Sequence, residues 1–458
     1  MSYIPETTNF EMKRENILNA IRNGESADYK NAIPIANDSV ESLRAVGKSF
    51  VKFPNFMNNF ISSLVNRVIT EVINSRSFEN PWKRMKKGIL EYGETIEEVY
   101  TALCKPHKFD QKESEASHFK REFPDVLTAF HSVNYKTFYK QTIESAELKS
   151  AFLSWDNFDR FINNLIENMI KSAEYDEFQV MKYCIARAIV NGELHSVFVP
   201  QPTETNTNTV ISAIKGASNK LLFPSNKYNF AKVTDTTPRD KQILICNAEF
   251  DALFTVNTLA TAFHMTEAEF MGAKVLVDSF GDFDYDRLDE LLNDDVTFRA
   301  FTAEEKEKLN NIPAVLIDED WFMVYDNLEE NTQNFNAQGL YRNHFYHVWK
   351  IFSRSPFKSA IVFSSETPTV STVTVSPTAV TSAKNQSVQL NVTVSTSGFA
   401  DKRVTWSVDT TSANKGVVVD GLGRVYLPEA LATGNTVTVT ATSVYNSAKK
   451  ATATITIS

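Results

Sequence analysis

Seven histidines, three cysteines and 56 acidic residues are the raw material for any chemistry in this 458-residue chain, and their spacing composes no complete site. His344 and His347 stand three apart in an aromatic segment that reads as strand; that spacing points them to opposite faces, no third ligand lies nearby, and no metal is expected. Asp282, Asp284 and Asp286 imitate the start of a calcium loop, but Arg287 holds the glycine position and Asn293 the closing acid position. Cys104, Cys184 and Cys246 are scattered, without CxxC spacing, and read as thiols of a reducing compartment. Walker A, HExxH and GxSxG patterns are absent, and Gly421 and Gly423 form only a GxG inside a turn. No catalytic, metal or cofactor residue is assigned, and an enzyme is not expected.

The chemistry the sequence does offer is charge for contact. NPWKRMKKGILEYGETIEEVYT carries a basic block (Lys83, Arg84, Lys86, Lys87), then Gly88 and Gly93, then an acidic block (Glu91, Glu94, Glu97, Glu98). From Arg76 to Pro124 there are few residues for a core, and such a stretch projects, either as a solvated hairpin or as an arm lying on a neighbouring copy with each block meeting opposite charge there. Trp82, Lys83, Arg84, Lys86, Lys87, Glu91, Glu97 and Glu98 are the candidate contact residues of that arm. The net charge of -9 argues against nucleic-acid binding as the main task. Residues 368–458 hold seven Lys/Arg against four acids, so an acidic body carries a mildly basic tail.

An arm needs a body to hold it. The run from Ser154 to Val190 has its apolar residues at helical spacing, Ser154 to cap it and Asn191-Gly192 to end it. As one helix it would span roughly 50 Å. A break at Ser172 to Asp176 is the alternative. Phe56 to Ile73 reads as a further helix. Residues 193–312 read as mixed α/β, with strands at 241–246 and 273–278 and a helix from Ala248 to Phe263 between them; Ile317 to Phe363 reads as several strands. Composition shifts at Ser364 to Thr369, beyond which short alternating strands predict a β-sandwich with Trp406 as core anchor. The N-terminal sequence lacks the apolar core of a signal peptide and no run of about 20 apolar residues occurs, so cytoplasmic folding and no membrane contact are expected.

The blocks NPWKRMKKGI with TIEEVYT, FYKQTI with SAFLSW, WFMVYDNL and GLYRNHFYHVW resemble the major capsid protein of the small podovirus-type tailed phages typified by phi-29, in order across nearly the whole chain. Residues 279–312 fit least well and look like an insertion. The last 91 residues, with VTWSV and ATATITI, resemble bacterial Ig-like domains of group 2. The resemblance implies an α+β capsid fold of the Hong Kong 97 type over residues 1–367, followed by an all-β Ig-like sandwich over 368–458. By position it makes 76–124 the extended loop, 154–190 the spine helix, 193–312 the axial domain, and 317–363 the return to the peripheral sheet. It implies a virion protein made in the host cytoplasm and self-assembling, as hexamers and pentamers, into an icosahedral or prolate shell around double-stranded DNA. A scaffolding protein and a portal are the further partners it implies, and host-surface carbohydrate is a possible ligand of the Ig-like module. The alternative from another class is a phage tail or surface binding protein working through its Ig-like domain.

Overall fold

The computed structural model describes residues 15–53, 55–57, 59–60, 63, 80–90, 95–107, 109, 121–256, 274–292 and 298–458. Its axis is one helix, Trp155–Asn191, of 37 residues. The Ser154 hydroxyl accepts from the Asn157 amide at 3.3 Å, and Gly192, at φ 74°, ends the helix by donating to the Ala188 and Ile189 carbonyls. No break forms at 172–176. Asp176 and Glu177 are buried and bound to groups outside the helix: Tyr139 Oη donates to Asp176 at 2.7 Å, Arg287 pairs with Asp176, and Lys350 pairs with Glu177. Polar residues satisfied by tertiary partners have no reason to turn back and cap.

Two sheets flank this helix. The first has the order β1 (Lys86–Ile89), β9 (Phe322–Asn336), β10 (Tyr341–Arg354), β4 (Tyr135–Glu144). β1 runs parallel to β9, and the other neighbours are antiparallel. Alternation along β10 buries His344, Tyr346 and Val348 on the helix side and leaves Phe345, His347 and Trp349 facing out. His344 and His347 do point to opposite faces. The second sheet has the order β5 (His195–Phe198), β11 (Ala360–Ser364), β8 (Ala314–Asp318), β6 (Gln242–Asn247), β7 (Lys274–Val277). β6, β8 and β11 are buried throughout, as strands covered on both faces must be. Of the segment 317–363, β9 and β10 join the first sheet and β11 the second, so the chain changes sheet on each side of the β9–β10 hairpin. The helix after β6 is described as Ala248–Val256; the remainder of the expected 248–263 helix lies outside the described residues. Of the helix expected at 56–73, helical backbone is described at 56–57, 59–60 and 63 only.

The C-terminal module is a strand domain: β12 (Thr369–Ser376) with β15 (Asn391–Ser397); β13 (Ala379–Ser382), β20 (Lys450–Ile457), β19 (Thr436–Ser443) and β16 (Val404–Val408); and β14 (Gln386–Gln389), β18 (Arg424–Leu427) and β17 (Val418–Val419). Leu390, Val425, Leu427, Val437, Val439, Ile455 and Ile457 form its fully buried core, with Trp406 packed against them and only partly buried. Burying each such aliphatic side chain contributes about 1.5–3 kcal/mol.

This module is not loosely tethered. Its β15–β16 connection lies on the C-terminal end of the long helix. Lys402 Nζ donates to the Val190 carbonyl at 2.7 Å, putting a cation where the helix dipole is negative. Ser196 Oγ donates to the Gly398 carbonyl at 2.5 Å, and the Arg403 guanidinium sits 3.7 Å from the Phe230 ring centroid while donating to the Phe230 carbonyl. Phe399 packs against the core of the body. A Cβ on Gly192 would overlap the Ala400 carbonyl oxygen.

Candidate assembly arm and its anchorage

The arm predicted from charge divides into two parts with different surroundings. Its basic half is anchored in its own subunit. Trp82 is fully buried, edge-on to Phe178 with centroids 5.3 Å apart, and its Nε1 donates to the Leu276 carbonyl at 3.0 Å. Lys86 Nζ lies 3.1 Å from Glu177 and 2.9 Å from Asp326; Lys350 Nζ contacts the same two carboxylates, at 2.5 Å from Asp326. Asn80 Nδ2 donates to the other Glu177 oxygen at 2.7 Å. Lys87 pairs with Asp320 at 2.8 Å, Lys83 reaches Glu174 at 3.8 Å, and Arg84 donates to the Asp240 carbonyl at 3.4 Å. The opposite charge that the basic block was expected to find on a neighbour is supplied within the chain. Glu174, Glu177, Asp320 and Asp326 do so because the parallel pairing of β1 with β9 brings the block against the long helix.

Burial and charge compete strongly in this network. Burial pushes the Asp326 carboxyl up, but Lys350 and Lys86 more than offset it and hold it below the usual aspartate range. Burial opposes charge on Lys350, yet Glu177 and Asp326 keep its ammonium above the usual lysine range. Asp326 and Lys350 therefore remain ionised, and the network they share with Lys86 and Glu177 fixes the root of the arm to helix and sheet.

The acidic half enters a β-ribbon. β2 (Ile96–Thr101) and β3 (Val126–His131) form a two-stranded antiparallel ribbon, so the arm extends beyond Pro124. One ribbon face carries Glu97, Val99 and Thr101 in register with Phe130, Thr128 and Val126. Phe130 is 69% exposed, Val99 59% and Val126 53%. Together they leave one face of the ribbon apolar and open to solvent. Glu97 lies on this face, Glu98 on the other, and Glu91 lies outside the described residues.

Among the described residues, His131, Asn134 and Tyr100 tie the ribbon to the body. His131 contacts Ser353 Oγ on β10 through Nδ1 and Glu98 on β2 through Nε2, the latter at 3.2 Å. Asn134 bonds both backbone groups of Phe352, and Tyr100 stacks on Phe357 with centroids 5.8 Å apart. Ser353, His131 and Glu98 are the residue types of a hydrolytic relay and line or adjoin a cleft bounded by Arg187, Trp321 and Arg354. What the geometry performs is a tie between arm and body: a hydroxyl and a carboxylate hold the two ring nitrogens of one histidine. These residues are scattered through the sequence, and no local pattern marks them.

Comparison with known proteins agrees with this architecture. The profile of the Phi29-like phage major capsid protein family matches residues 18–364, and that of the bacterial Ig-like domain (group 2) matches residues 369–455. The chain is 33% identical to the major capsid protein of Bacillus phage PZA over 411 residues, covering 89% of this chain and 85% of that one. It is 34% identical to the major capsid protein of Bacillus phage B103 over 434 residues, 93% of this chain and 89% of that one. A chain in the structure of the head fiber and inner core protein of native bacteriophage P68 superposes with a TM-score of 0.51 at 15% identity, covering 64% of this chain and 87% of that one, a likeness of fold. The family is one of structural proteins that assemble with copies of themselves into the capsid of the virion. This chain, with its anchored arm and its C-terminal strand module, matched over most of its length by such relatives, belongs to the Phi29-like phage major capsid protein family.

Proposed function

We propose that this subunit builds the icosahedral or prolate shell of a tailed phage with a fold of the Hong Kong 97 type. Trp155–Asn191 is then the spine, β4, β9 and β10 the peripheral sheet, and the β2–β3 ribbon the extended loop that reaches over a neighbour. The shell is made of hexamers and pentamers, formed in the host cytoplasm with a scaffolding protein and a portal, and it encloses double-stranded DNA. An acidic subunit suits a container, because a wall that bound phosphate tightly would hinder packaging and ejection. The Ig-like module faces outward, where host-surface carbohydrate is its proposed ligand; its docked loop fixes its orientation on every subunit.

The observation that supports the clamping role is the exposed apolar face of the ribbon, centred on Phe130. Anchorage of Lys86 and Lys87 inside the chain moves the working surface of the arm from the basic block to this face. Phe130→Asp should leave the subunit folded, since that side chain packs on little of its own chain, and should prevent shells from forming. Normal shells from Phe130→Asp, seen by electron microscopy, would refute the role.

A further inference from the structure

The loop against which the Ig-like module docks is basic. Residues 205–234 hold four lysines and no acid, in a chain whose net charge is -9. The helix Thr207–Leu221 ends there, and the backbone beyond it is pinned in place. Ser225 and Asp235 exchange both backbone bonds, the buried Asn229 side chain bonds both backbone groups of Val233, and the Tyr228 carbonyl accepts from Ala360 on β11 at 2.8 Å. Lys220, Lys227 and Lys232 stand exposed on this frame, and none makes an ion pair among the described residues. The acids beside them are already used: Asp235 pairs with Lys358 at 3.3 Å, and Asp401, next to Lys232, pairs with Arg403 at 2.7 Å. The three ammonium groups converge on one spot, because burial and then Lys232, Lys227 and Lys220 together hold the His195 imidazole down to about 4. Lys232 has φ 58°, a conformation in which glycine or asparagine would sit with less strain, and strain of this kind gathers where a side chain has work to do. Phe223, whose amide donates to the Lys220 carbonyl, is 68% exposed beside them.

We propose that this loop binds anionic carbohydrate, sugar chains that bear phosphate, sulfate or carboxylate groups. The proposal rests on the reading of the Ig-like module as outward-facing and carbohydrate-directed, and names where the ligand sits and what charge it carries. The loop lies on the module's side of the body, since the Arg403 guanidinium stacks on the Phe230 ring and donates to the Phe230 carbonyl within it. An anionic chain gains the attraction of three lysines without having to displace an acid from any of them. A sugar ring also presents an apolar face, which the exposed Phe223 ring and the neighbouring Leu222 can cover. Duplex DNA offers such a surface only its phosphates, because its stacked bases are closed to Phe223, and an outward loop does not meet the enclosed genome.

The test uses purified tail-less shells, formed with the phage's other head proteins, against dextran sulfate, duplex DNA, and host cell walls with or without periodate oxidation of their sugars. Wild-type shells should bind dextran sulfate and be retained on untreated walls only. Lys220→Gln with Lys227→Gln and Lys232→Asn should cut the dextran sulfate affinity roughly tenfold or more and flatten its salt dependence by about one unit of slope per lysine, at unchanged shell yield. Phe223→Ser should weaken dextran sulfate binding without altering its salt dependence, since it removes no charge. Undiminished dextran sulfate binding by the triple variant, with its retention on walls still lost after periodate, would overturn this site and leave the carbohydrate reading of the module standing. Duplex DNA bound as tightly as dextran sulfate, with Phe223→Ser affecting neither, would overturn carbohydrate as the occupant. Wild-type shells whose retention on walls is indifferent to periodate would overturn the site and the carbohydrate reading together.

Discussion

Gly192→Ala tests whether the Ig-like module is part of the subunit's framework or an appendage. Gly192 holds φ 74° at the end of the long helix, and an L-residue in that conformation costs about 1–2 kcal/mol. Gly434 has φ 86° with no heavy atom within 4 Å of a Cβ placed there, so Gly434→Ala should cost that amount and nothing more. At Gly192 the new methyl would overlap the Ala400 carbonyl, and the β15–β16 loop must retreat, taking Lys402 away from the Val190 carbonyl. A hydrogen bond to a charged group contributes about 1.5–3 kcal/mol, which places Gly192→Ala at about 2.5–5 kcal/mol in all. Amide hydrogen exchange over residues 186–196 reads this locally, since about 1.4 kcal/mol is a tenfold change in the opening equilibrium. Exchange there should accelerate by roughly two to three and a half orders of magnitude in Gly192→Ala. Lys402→Ala should accelerate it less, and the double variant should fall short of the sum because both act through one loop. Strict additivity, or a Gly192→Ala effect no larger than that of Gly434→Ala in its own turn, would refute the docked-loop reasoning.

Three further outcomes follow from the same physical terms. Lys350→Met leaves Glu177 and Asp326 buried with Lys86 as their remaining cation; about 3–5 kcal/mol of stability should be lost, read as a fall in the urea midpoint, and an unchanged midpoint would contradict the network. His344 is fully buried, neither ring nitrogen is hydrogen-bonded among the described residues, and burial, aided by Arg342, holds its pKa down to about 4. Its neutral form is the folded one, so stability is intact above pH 6.5 and falls as pH drops toward 4, by about 2 kcal/mol at pH 5. His344→Leu should flatten that slope, and an unaltered slope would contradict it. The Asp326 contribution behaves differently: its carboxyl is depressed in the fold, so its stabilisation is lost only as pH falls below the usual aspartate value of 3.8.

What could be read from the sequence was whatever local spacing encodes. The long helix announced itself by apolar periodicity and by both caps, and the C-terminal strand module by short alternating strands. Its Trp406 proved peripheral to a core of aliphatic residues. The sign segregation of the arm was equally visible, but the partners of its basic block were not. Glu177 and Asp326 are about 90 and 240 positions away from Lys86, and only the parallel β1–β9 pairing brings them together. Trp82 belongs with them: an aromatic in a charged stretch suggests contact, and the contact it makes is with Phe178 and the edge of β7. Residues 398–403 look like an ordinary turn, and their docking on the helix end depends on Phe230, Ser196 and Gly192, which no pattern links to them. The tie through His131 was hidden for the same reason.

The central claim, assembly through the exposed ribbon, is tested most directly by sedimentation and negative-stain electron microscopy of the full-length protein expressed with the phage's other head proteins, wild type beside Phe130→Asp. Closed shells or capsomer rings from the wild type, with folded unassembled subunits from the variant, are the predicted result. Shells of equal yield from both would contradict it.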